Sequence, residues 1–267
     1  MNPTAPSPRY PWRLFWCLFA ADVFAALTII PIALDIVPAI SSRVGPAPFP
    51  IPVVVLIGVA QNLALLALFV WLGLKLSRRL GLGTPFLESW LMKQPGPTRN
   101  EVASSLKEAL LIGIVLGIAL LIALLLLAPR LPNLPLLVLA KLPLWKRFLL
   151  CFYGGIYEEL LTRLFLLSLF AWLLDRGWRK VVPSLSTPAF WIANVLAALL
   201  FGLGHLPSAS LFMKITPLVV VAAIVLNGLA GIAFGYLYRR RGLESAIIAH
   251  FTADFVIYVI GAGFLKT

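Results

Sequence analysis

Residues 109–128 read ALLIGIVLGIALLIALLLLA, a run that no charged or strongly polar side chain interrupts. At ~1.5 Å per residue such a run makes a helix of about 30 Å, the thickness of a bilayer's hydrocarbon core. Working outward, comparable runs occur at 13–34, 51–74, 148–174, 189–206, 215–237 and 244–265. Backbone polar groups have no water partner in hydrocarbon, so runs of this length cross as helices that satisfy their own hydrogen bonds. The predicted fold class is all-α, a polytopic transmembrane bundle of about seven or eight helices.

Composition points the same way. Of 267 residues 61% are hydrophobic and 12% charged, with a mean hydropathy of +0.99, so the main solvent is lipid and not water. The net charge of +12 would suggest nucleic acid in a soluble chain. Here the cations lie between the apolar runs, where they orient the protein and meet anionic lipid, and no nucleic-acid partner is expected. Their bias is ~two to one toward connections on the side of the N-terminus, which predicts a cytoplasmic N-terminus. A multi-pass protein of a prokaryotic plasma membrane is the expected location. Arg9 and Arg13 precede the first run in the manner of a signal peptide. That run is long, contains Asp22 and lacks a small-residue cleavage site, so an uncleaved first span is expected.

The connections divide the chain into two parts. Residues 1–147 are read as accessory spans and connections, and residues 148–265 as the core that carries chemistry. The 75–108 connection is polar and basic, with Glu101, Val102, Leu106 and Ala109 spaced as a short amphipathic lead into the 109–128 run, expected to be a surface helix. The 129–147 connection, with Pro129, Pro132, Pro135 and Pro143, cannot form one continuous helix and is expected to lie along the interface.

Glu158, Glu159 and Arg163 stand in the middle of the fourth run. Each charged residue at such a depth costs roughly 2.5 to 3.5 kcal/mol on insertion scales, so three together require partners or a wet cavity. Glu159 and Arg163, at i and i+4, can form a clasp that fixes helix packing, whereas Glu158 points about 100° away and is left as the freer carboxylate. The chain's two histidines lie in later runs. His205 closes the segment Phe201-Gly-Leu-Gly-His205, and His250 shares a helix face with Asp254 in His250-Phe-Thr-Ala-Asp254. Phe201, one turn from His205, either walls the site or packs in the core, and Asn194 shares its stripe. Asn227 either packs or reaches into a cavity, and Gly231-x-x-x-Gly235 allows a close helix crossing. Two imidazoles and a carboxylate can hold a Zn²⁺ that activates water, through Glu158, His205 and His250. Without metal, the glutamate can take the proton while imidazoles stabilise the oxyanion. No HExxH is present, which excludes the helical zincin arrangement.

The motifs Glu158-Glu159-x-x-x-Arg163, Phe201-x-x-x-His205 and His250-x-x-x-Asp254, in that order, resemble the CPBP family, the CAAX proteases and bacteriocin-processing (Abi) enzymes. The resemblance covers about residues 148–265. It implies an intramembrane endopeptidase that cleaves a membrane-associated peptide or protein, such as a prenylated CAAX-type or leader-type substrate. Glu158 and His205 would activate water, and His250 with position 254 would form the oxyanion pocket. The resemblance leaves Zn²⁺ and a metal-free glutamate mechanism equally open. Position 254 departs from the commoner Asn: an ionised Asp254 would repel an oxyanion, so it must be protonated, bind metal or orient His250. A non-enzymatic immunity or scaffold protein, or a proton-coupled transporter, would also keep such a polar cluster. Depth raises a further difficulty, because straight spans with these ends put Glu158 near the midplane and His205 and His250 toward opposite faces.

Overall fold

The computed structural model describes residues 10–44, 49–93, 95–131, 134–178 and 185–266. The expectations that rested on Arg9 and Pro132, and part of the count of cations in the connections, fall outside them. The described residues form a helical bundle without strands. Among the described residues six helices are long and apolar enough to cross a membrane: Trp12–Val37, Ile51–Arg79, Arg99–Leu127, Thr187–Ser210, Pro217–Arg241 and Leu243–Phe264. The protein is therefore an integral membrane protein of the all-α polytopic class. Residues 144–178 form a further unbroken helical rod whose central charges set it apart from the six.

In chain order, α1 is Trp12–Thr28 and α2 Ile30–Val44, followed by α3 (Ile51–Arg79), α4 (Pro85–Met92) and α5 (Arg99–Leu127). In the 75–108 connection the amphipathic lead is continuous with the 109–128 run, and a separate short helix precedes it. The membrane helix α3 continues to Arg79, the short surface helix is α4, and Glu101 to Ala109 already belong to α5. The reason is a capping box: Thr98 Oγ1 accepts from Glu101 N at 3.3 Å, and the Glu101 carboxylate accepts from Thr98 N at 2.7 Å. Two orphan donors are thus satisfied, and the helix begins ten residues before the apolar run.

The proline-rich stretch contains α6 (Pro135–Leu139) and leads into the rod. The rod consists of α7 (Leu144–Phe152), π-helical segments Tyr153–Glu158 and Leu160–Leu167, and α8 (Ser168–Trp178). Then come α9 (Thr187–Gly204), α10 (Leu206–Ser210), α11 (Pro217–Arg241) and α12 (Leu243–Asp254), the last continued by a π-helical segment, Phe255–Ile260. The π-helical turns contain Glu158 and Arg163, flank Glu159 and follow Asp254. Such turns are rare, occur often at functional sites, and shift side chains around the helix axis relative to an α-helical count.

Glycines set the closest helix crossings. On α11, a Cβ at Gly235 would collide with Asn194 Oδ1, and one at Gly231 would lie 3.0 Å from the Ala198 Cβ. The spacing read from sequence as a close-approach motif is the α9–α11 crossing. Asn194 secures it, donating Nδ2 to the Ile232 carbonyl at 3.0 Å, so it bridges helices and does not buttress His205. Between α11 and α12 the chain turns on Gly242 alone, at φ +95°, a conformation that favours glycine. One hydrophobic core runs from Leu14 on α1 to Ala253 on α12, so the first 147 residues pack directly against the remainder.

Candidate active site

The rod brings Glu158 and Glu159 to the interior in different environments. Glu159 is fully buried, and the side chain of Glu158 is 22% exposed and lines a cavity of about 360 Å³. His205, His250, Asp254, Phe201 and Asn227 line the same cavity. The depth conflict is thereby corrected. The α9 span continues past His205 through α10 to Ser210, with Pro207 at the start of that short helix, so His205 is not at the end of its span.

His250 is the hub. Its Nδ1 donates to Glu159 Oε1 at 2.7 Å, and its Nε2 faces Glu158 Oε2 at 3.6 Å and Asp254 Oδ2 at 3.8 Å. The same Glu159 oxygen pairs with Arg163 Nη1 at 2.9 Å. The sequence-level clasp is therefore present, and it carries a second task invisible at i, i+4: it anchors the imidazole of a helix 91 residues away. A buried ion pair of this kind is weak evidence for stability, because desolvation offsets much of its attraction, but breaking it leaves a costly lone charge. Glu159 Oε2 and Arg163 Nη2 are buried and make no hydrogen bond among the described residues.

His205 is held differently. Its Nδ1 lies 2.7 Å from the Phe201 carbonyl. A carbonyl only accepts, so Nδ1 carries a proton, and in the neutral tautomer that fits this bond Nε2 is the acceptor. Phe201 sits edge-on to both imidazoles, with centroids 4.8 Å from His205 and 5.9 Å from His250, and lies under the Arg163 guanidinium at 4.9 Å. Asn227 donates Nδ2 to Ala223 of its own helix at 2.9 Å while lining the cavity.

Three residues of the site escaped the sequence reading. Phe234 stacks on His250, centroids 4.7 Å apart, and lies under Arg163 at 5.4 Å. Its one available signal was its position two turns beyond Asn227 on α11. Tyr153 lines the cavity and stacks on Tyr157 at 4.6 Å. Gly154 faces the carboxyl cluster: a Cβ there would collide with Asp254 Oδ2 and come within 3.3 Å of His250 Nε2. The pair Gly154-Gly155 in an apolar run was its signal.

The rest of the cavity is mostly apolar, formed by side chains such as Ile32, Leu124, Leu136, Leu150, Met213 and Leu226. Among the described residues, no three His, Cys, Asp or Glu side chains are gathered closely enough to hold a metal ion. As they stand, Glu158, His205 and His250 thus line one cavity without forming a ready metal cage.

A helical membrane bundle that buries carboxylates, imidazoles and a guanidinium around an apolar cavity belongs to the class of intramembrane polar-site proteins. Residues 140–256 match a family model described as Type II CAAX prenyl endopeptidase Rce1-like, a match that supports the resemblance to the CPBP/CAAX protease family. No curated protein and no solved structure matches the chain.

Proposed function

We propose that the protein hydrolyses a peptide bond of a prenylated, CAAX-type peptide or protein, with Glu158 as general base. One observation carries this reading. The partly exposed Glu158 carboxylate, His205 with Nδ1 bonded to a carbonyl, and His250 face one cavity whose remaining wall is mostly apolar. The polar end suits water and a peptide group, and the apolar walls suit a hydrocarbon chain attached to the substrate.

In the proposed sequence, Glu158 removes a proton from water hydrogen-bonded to His205 Nε2. The oxygen adds to the scissile carbonyl carbon, and the C=O electron pair moves onto oxygen. His250 Nε2–H donates to that oxyanion, with the ring held by Glu159 and Arg163. As the tetrahedral intermediate collapses, the C–N bond breaks and Glu158 passes its proton to the leaving nitrogen. Asp254 is assigned to orienting His250, for an ionised carboxylate would repel the oxyanion. If the family's chemistry used Zn²⁺, Glu158, His205 and His250 would be its ligands and it would supply Lewis acidity; no step above depends on it.

The test is cleavage of a farnesylated reporter peptide by purified protein. Glu158→Gln preserves size and removes the base, so cleavage should fall by at least ~10² while the melting temperature stays near that of the parent. Full cleavage by this variant would refute the assignment.

A further inference from the structure

A second cavity, of about 520 Å³, lies where α3 and α11 end and α4, α5 and α12 begin. Arg78, Arg239, Arg240 and Arg241 line it, against the carboxylates of Glu88 and Glu101. Both carboxylates are engaged locally. Glu88 Oε1 accepts from Thr84 N and Oγ1, and Glu101 accepts from Thr98 N and Oγ1. Glu108 takes up Arg240 at 3.0 Å and Arg241 at 2.7 Å.

Two arginines remain without a carboxylate among the described residues. Arg239 stacks on Phe190 at 4.5 Å and donates to the Thr187 hydroxyl at 3.2 Å, a neutral acceptor. Arg78 Nη1 is shielded from solvent and makes no hydrogen bond among the described residues. A buried guanidinium N–H without an acceptor is costly, and a planar fork of donors matches a tetrahedral oxyanion better than any neutral group. The N-terminus of α4 is not the attraction, since Glu244 Oε1 already accepts from Phe86 N and Leu87 N, each at 3.0 Å.

The cavity's height in the bundle adds to the argument. It sits at the terminal residues of the Ile51–Arg79 and Pro217–Arg241 spans, where a helix leaves hydrocarbon and phospholipid phosphates lie. Its volume accommodates a headgroup-sized ligand. We propose that this pocket binds a phosphate group through Arg78 and Arg239, supplied by an anionic phospholipid headgroup or as free phosphate.

Full-length protein in neutral detergent is titrated with fluorescent phosphatidylglycerol, and separately with radiolabelled inorganic phosphate by equilibrium dialysis. The parent, Arg78→Gln and, as a control from the opposite end of α5, Arg130→Gln are compared. At least one probe should bind saturably, with affinity roughly tenfold weaker in Arg78→Gln and unchanged in Arg130→Gln. Binding of the lipid alone assigns the headgroup, and binding of phosphate assigns the free anion. Should Arg78→Gln melt early without ligand, Arg239→Gln carries the same expectation. Unaltered binding in the folded Arg78 or Arg239 variant, or saturable binding of neither probe, overturns the proposal.

Discussion

Glu159 and His250 share one short hydrogen bond, Nδ1 to Oε1 at 2.7 Å, and the same carboxylate oxygen meets Arg163 at 2.9 Å. Through that oxygen the rod sets the orientation of an imidazole on α12, whose other nitrogen turns toward Glu158. The clasp is at once a packing device and a positioning device for the proposed catalytic groups.

Glu159→Gln should therefore damage both. Arg163, 2% exposed, loses its counter-charge, and removal of one partner of a buried pair costs about 3–5 kcal/mol. A lowered thermal midpoint in detergent, together with a loss of cleavage larger than the folded fraction explains, is the expected outcome. Activity that tracks the folded fraction alone would limit Glu159 to packing.

Gly154 offers a steric test. Its missing side chain leaves room for the contact with Asp254 and His250, so Gly154→Ala pushes a methyl group into that space. Cleavage should drop by at least ~10², consistent with the sensitivity of catalysis to displacements of about 1 Å. Gel filtration and thermal melting establish that the variant folds; wild-type turnover would show that the carboxyl cluster has no catalytic part.

Phe234→Leu keeps an apolar side chain but removes the ring stacked on His250. An aromatic pair contributes about 0.5–1.5 kcal/mol beyond its buried area, so kcat should fall roughly two- to tenfold with KM nearly unchanged. A change confined to KM would instead assign the ring to substrate binding.

Metal removal gives a separate answer. Because no group of three donor side chains among the described residues is set to hold a metal ion as it stands, cleavage should survive dialysis against 1,10-phenanthroline. Loss of cleavage that Zn²⁺ restores would show that the donors close around a metal in the working enzyme.

The membrane fold was legible because it depends on local properties. A charge-free run such as 109–128 has one stable form in hydrocarbon, and three charges within such a run announce an interior site whatever the neighbours are. Helix ends were less legible: α5 begins at Arg99 because of a cap between Thr98 and Glu101, which hydropathy does not register. Motif order also pointed to the family, through Glu158, His205 and His250.

What only the tertiary structure decided is which groups meet. Glu159 and His250 come from different helices, and no periodicity encodes their contact. Asn194 shares a stripe with His205 but bonds to Ile232, since the glycines of α11 bring that backbone closer. The arginine-lined pocket was invisible for the same reason: Arg78 and Arg239 are far apart in sequence, and only the common level of their helix ends makes them neighbours. Hydropathy is a property of each segment by itself, whereas the position of a proton acceptor depends on how segments cross.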